Sequence, residues 1–120
     1  VVYPVSDRPP EPNAVFHADL SALVDVIPTD SIVSRQVYSD THVKVTLFGF
    51  DAGQELSEHT ASKPAIIQVL RGTGTFGLGA ERVAVGPGSW AHMDAHLPHT
   101  VQAQTQLVLL LTMFKSVPAA

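Results

Sequence analysis

The sequence predicts an all-β protein, a two-sheet sandwich or a closed barrel, and three observations carry that reading. Short runs rich in β-branched and aromatic residues recur along the chain, several of them alternating apolar with polar side chains. Eight glycines and nine prolines in 120 residues separate those runs at the intervals of tight turns. Only one short segment has helical character.

Taken in order, residues 1–13 hold Pro4, Pro9, Pro10 and Pro12, which exclude helix and leave an extended arm. Residues 18–24 read as one or two helical turns with Asp19 as the cap, and Pro28 ends them. The expected organisation is an arm with a helical turn over residues 1–30 and a β-barrel over residues 31–120. Residues 31–37 and 42–50 form the first two strands, joined by the polar turn Tyr38-Ser39-Asp40-Thr41. In the second, Val43, Val45, Leu47 and Gly49 alternate with Lys44, Thr46, Phe48 and Phe50. Both faces turn apolar toward Phe50, so this strand runs from an exposed end into the interior.

A turn at Asp51-Ala52-Gly53-Gln54 follows, with Gly53 suited to positive φ. Residues 65–71 make a strand between Pro64 and Gly72, residues 72–78 a Gly-rich strand, and residues 82–85 its hairpin partner. Residues 89–93, 100–103 and 106–114 supply the closing strands, and residues 115–120 a small-residue tail. Trp90, the single tryptophan, is expected in the barrel packing or the pocket wall.

Composition narrows the function. At 45% hydrophobic and 15% charged, the chain has wide apolar surface to hide, so a homo-oligomer is expected. The net charge is −4 and the seven Lys and Arg are scattered, which leaves no basic stripe for nucleic acid. The absence of cysteine excludes disulfides, a thiolate nucleophile and Cys-type zinc sites. No run is long enough to span a bilayer, and nothing has the pattern of a signal peptide. The expectation is a cytoplasmic protein that meets neither membrane nor nucleic acid.

The chemistry concentrates in residues 53–103, which hold four of the six histidines: His59, His92, His96 and His99. Histidine offers a neutral nitrogen ligand and a proton switch near neutral pH. His92 lies mid-strand beside apolar Met93 and is expected to project into a pocket next to His99. His96 sits in a turn before Leu97-Pro98, where side chains face solvent. Ser57 and Glu58, next to a turn, are expected to be solvated, and nothing specific supports Glu55 and Glu58 as a general acid pair. The run Gly72-Thr73-Gly74-Thr75-Phe76-Gly77 opens a strand rather than a helix, so it offers no helix N-terminus to a pyrophosphate.

The spacing of Gly53, five residues and His59, with Gly72 downstream, resembles the first motif of the cupin superfamily. That motif runs from Gly to His-x-His, then Glu, then Gly. The spacing of Gly88, five residues, Asp94, His96 and His99 resembles the second motif, and the likeness spans residues 43–114. The resemblance implies a small single-domain cupin, a double-stranded β-helix or jelly-roll barrel of the RmlC-like type. Such proteins commonly pair as homodimers.

It also implies a divalent transition metal (Zn, Fe, Mn, Ni or Cu) and a small organic ligand or substrate. Of the family's four usual metal ligands this chain keeps His59 and His99. The second His falls on Ala61, the Glu on Ala65, the Pro and Gly of the second motif on Asp94 and His96, and its final Asn on Ala103. Two imidazoles fall short of the three or four protein ligands of most catalytic metal sites. His92 is therefore expected as the third ligand, with Gln68 and His96 as further candidates. Gln68 lies on the strand face opposite Ala65 and reaches inward only through a bulge. Three functions follow: a metal-dependent small-molecule enzyme, a non-enzymatic module that binds or senses a small ligand, and a degenerate structural cupin without metal.

Overall fold

Strand formation follows the predicted runs closely in the computed structural model, which describes residues 13–115. The proline-rich arm, apart from Asn13, and the tail, apart from Lys115, lie outside the described residues. Among those described there are nine strands: β1 (Ile32–Ser39), β2 (Val43–Phe50), β3 (Glu55–His59), β4 (Ala65–Arg71), β5 (Gly74–Leu78), β6 (Glu81–Val85), β7 (Trp90–Met93), β8 (His99–Ala103) and β9 (Leu107–Phe114). They form a five-stranded sheet of order β1-β2-β9-β4-β7 and a four-stranded sheet of order β3-β8-β5-β6. Every pairing is antiparallel. This is the two-sheet jelly roll expected from the sequence.

The sheets close on each other through alternate residues. Phe50 on β2, Ala65, Ile67 and Val69 on β4, Leu107 and Leu109 on β9 face Phe76 on β5 and Val101 and Ala103 on β8. Among the described residues no fully buried side chain is polar or charged, so this core is held by apolar burial and packing. Burying each large side chain there is worth about 1.5–3 kcal/mol relative to leaving it in water.

The outer face of the larger sheet has a cover of its own. Asp19 caps a 3₁₀ turn, Leu20–Val24, by accepting from the backbone N–H of Ser21. Val24 and Ile27 pack on Leu47 and Val108, with Leu23, Val33 and Val37 alongside. Gly49 makes the room, since a Cβ there would stand 3.0 Å from the Ile27 side chain. The Arg71 guanidinium pins the segment by donating to the Val24 carbonyl at 3.2 Å. Strands β2 and β9 are thus covered on both faces, which explains why β2 loses its alternation toward Phe50.

Two features differ from expectation. Strand β3 occupies a stretch with no strand-like alternation, and all five of its residues are exposed. It pairs on one side only, as an edge strand beside β8. Trp90 does not fill the barrel: it opens the edge strand β7 and is 58% exposed. Its neighbour Ala91 packs on the core, and alternation turns Trp90 to the other face.

Candidate functional site

A cavity of about 230 Å³ lies between the two sheets. Phe48, Ile67, Leu111 and Met113 line it from the larger sheet, and Leu56, Val101, His59 and His99 from the smaller. The two imidazoles are its only polar side chains.

Local backbone geometry puts them there. On β8, His99 and Val101 are two residues apart and therefore share the inward face. On β3, Leu56 and His59 are three apart and would point to opposite faces of a regular strand. A bulge resolves this. Leu56 pairs with Val101 and His59 with His99, so β3 carries one extra residue between those pairs. That extra residue returns His59 to the face of Leu56, the kind of re-aiming that bulges provide near functional sites.

His59 and His99 consequently stand directly opposite across the β3–β8 ladder. Their ring centroids are 4.0 Å apart with the planes at 60°. Each ring is oriented by the same local contact. His59 Nδ1 lies 2.9 Å from the Ser57 carbonyl oxygen, and His99 Nδ1 lies 2.8 Å from that of Leu97. A carbonyl oxygen only accepts, so both Nδ1 atoms carry the proton. In the neutral rings the lone pair is then on Nε2. The cavity has, at its single polar end, two imidazoles whose Nε2 atoms keep their lone pairs as hydrogen-bond acceptors.

The other expected residues lie apart from this pair. His92 is in register with Ile66, on the β7 face opposite the buried Met93. Its Nδ1 is 3.8 Å from an Asp94 carboxylate oxygen at the surface. Gln68 shares the outward face of β4 with Ile66 and lies in register with Trp90 and Leu110. His96 is exposed in the turn between β7 and β8 with φ 69°. Its N–H donates to the Ala61 carbonyl at 2.7 Å, latching the β7–β8 turn to the β3–β4 loop. Ser57 and Glu58 are exposed, as expected, and so is Glu55.

A family profile for the cupin domain matches residues 46–114, more than half of the chain. The chain belongs to the cupin family. No curated protein sequence matches it. Among solved structures, this cupin is similar to a conserved protein of unknown function from Streptococcus pyogenes. The two are 28% identical, with a TM-score of 0.76 over 88% of this chain and 95% of the other. It is also similar to an RmlC-like cupin from Desulfovibrio desulfuricans, 27% identical with a TM-score of 0.69, covering 84% and 100% of the two chains. Salicylate 1,2-dioxygenase from Pseudoaminobacter salicylatoxidans shares the fold at 18% identity and a TM-score of 0.64, over 68% of this chain and 26% of that one.

Against the usual cupin donor set, this cupin is incomplete in nitrogen and oxygen. Ala65, where the family's Glu falls, is 4% exposed inside the barrel and brings no carboxylate. Ala61 lies past the end of β3, its carbonyl engaged by His96. Among the described residues, no three His, Cys, Asp or Glu side chains come together to hold a metal ion. The residues present fit two positions of a divalent transition-metal ion's shell and leave its charge without an anionic partner.

Two further cavity-lining side chains with donor atoms escape a search for histidines and carboxylates. Met93 and Met113 both line the same cavity. The signal available in the sequence was parity: adjacent His92 and Met93 cannot both face inward, and the apolar residue takes the core side.

Proposed function

We propose that this cupin is a small-ligand-binding protein. Its cavity takes a compact, mainly apolar molecule and fixes that molecule's single polar group on the His59–His99 pair. One observation carries the reading: two imidazoles with Nδ1 committed to backbone carbonyls form the sole polar end of an otherwise apolar cavity. Because the free atoms are Nε2 lone pairs, the ligand's head is a proton donor, such as a phenol, alcohol or amine N–H. The volume is below the roughly 300–1,000 Å³ of pockets for drug-sized molecules, so the ligand is smaller than those.

A transition metal held by the two Nε2 atoms is the second reading, favoured by the same Nδ1 anchoring, which fixes ring orientation and raises ligand basicity in metal sites. His92, Gln68 and His96 do not join the pair in either reading. A homodimer is the proposed assembly, supported by exposed Trp90 on the outer face of β7.

The test compares phenol with toluene, molecules of similar shape that differ in the proton donor. Native protein is expected to bind phenol more tightly, read by calorimetry or by the rise in melting temperature. His59→Ala and His99→Ala should each reduce that preference by about 1 kcal/mol, roughly fivefold in affinity, while toluene binding persists. An unchanged preference in both variants refutes the reading.

A further inference from the structure

We propose that the cavity is a Cu(I) site, formed by Nε2 of His59 and His99 together with the thioether sulfurs of Met93 and Met113. The inference rests on the second reading above, a metal held by the two Nε2 atoms, and it specifies which ion that is.

The placement of the methionines carries it. The chain has two methionines, and both line the cavity that holds the two imidazoles. Strand β4 runs between β7 and β9, and Ala65 is in register with Met93 on one side and Met113 on the other. The residue that stands where the family has its carboxylate is thus flanked by a thioether on each side. Met93 is 3% exposed, so its sulfur faces protein and cavity rather than solvent. The histidines come from the smaller sheet and the methionines from the larger. Packed sheets lie about 10 Å apart, a gap that an imidazole from one and a thioether from the other span together.

Chemistry selects the ion. Thioethers are soft, uncharged donors that favour Cu(I), whereas carboxylates suit harder ions. All four donors here are neutral, and no anionic side chain lines the cavity. A divalent ion held there would carry two charges with no anionic side chain beside them, and a monovalent ion only one. Exchanging an anionic oxygen ligand for two sulfurs therefore moves the preference from the divalent ions toward Cu(I).

The experiment is an anaerobic competition titration of the untagged protein with Cu(I), kept reduced by ascorbate, against a chromogenic Cu(I) chelator. The variants are Met93→Leu, Met113→Leu, His59→Ala and His99→Ala, with Zn(II) titrated in parallel. Leucine keeps the size and apolar character of methionine, so packing is retained while sulfur is lost. Native protein is expected to take up one Cu(I) per chain and to bind Zn(II) more weakly. Each leucine variant should lose affinity for Cu(I) by at least about tenfold, the lower bound of what even an outer-shell partner contributes. Zn(II) binding should change little in the leucine variants.

Equal Cu(I) affinity in native protein and both leucine variants overturns the proposal, as does failure of native protein to bind Cu(I). In either case the phenol–toluene preference of the alanine variants still decides the histidine pair separately. Cu(I) binding that survives both His59→Ala and His99→Ala places the ion elsewhere and also overturns the proposal.

Discussion

His96 shows what one residue costs when backbone geometry and side-chain type disagree. It occupies the position where the cupin motif has glycine, and its φ of 69° is in the left-handed region. A side chain there costs about 1–2 kcal/mol, part of which glycine returns through its greater freedom in the unfolded chain. His96→Gly is therefore expected to stabilise the protein by about 0.5–1 kcal/mol in urea unfolding, leaving ligand binding unchanged. Destabilisation would assign the imidazole a role that its exposure does not suggest. At this scale the likeness of Gly53 to His59 and of Gly88 to His99 to the cupin motifs singled out the two histidines whose rings the structure sets side by side. The anchoring of both Nδ1 atoms was not legible, because it depends on where the carbonyls of Ser57 and Leu97 point. His92 was misjudged as inward because its neighbour Met93 competes for the same face, and burial favours the thioether over the imidazole.

Among the elements, strands with alternation or continuous apolar character were readable, and β3 was not. Its residues Glu-Leu-Ser-Glu-His are all exposed, and a bulge breaks the period of two on which the reading of strands depends. The strand exists because β8 offers it an edge, a tertiary cause that local sequence does not express. The β1–β2 hairpin is different, since its turn is built from side chains visible in the sequence. Asp40 accepts from the N–H groups of Val43 and His42 at 2.9 and 2.7 Å and from the Tyr38 hydroxyl at 2.8 Å.

These bonds, the one from Val43 foremost, lower the Asp40 pKa from 3.8 to about 2. A depressed carboxyl pKa stabilises the fold above the unfolded value, and that contribution fades as pH falls toward the folded value. The stability gap between native protein and Asp40→Ala should therefore be full above about pH 5 and shrink steadily toward pH 2. Denaturant unfolding across that range measures it, and a gap independent of pH would show that the carboxylate's charge is irrelevant to the turn.

For the whole molecule, the all-β class, the two-sheet closure and the capped turn at Leu20–Val24 follow from local patterns that agree with one another. The cover that the turn provides was less visible, because Gly49 opposite Ile27 reads in sequence as one more position of the strand rather than as a seat. The close approach at Gly72, where a Cβ would collide with the Gln106 carbonyl, sets the β4–β5 turn against the β8–β9 turn. Such contacts close the barrel around a space that apolar side chains line but do not fill, with two imidazoles at its end.

The account depends on those imidazoles being held as Nδ1–H tautomers with Nε2 free. Long-range ¹H–¹⁵N correlation spectra of the metal-free protein at about pH 8, above the ordinary imidazole range, read this directly. The expected result is protonated Nδ1 and unprotonated Nε2 for both His59 and His99, with both Nε2 signals moving when phenol is added. Protonated Nε2 in either ring would contradict it.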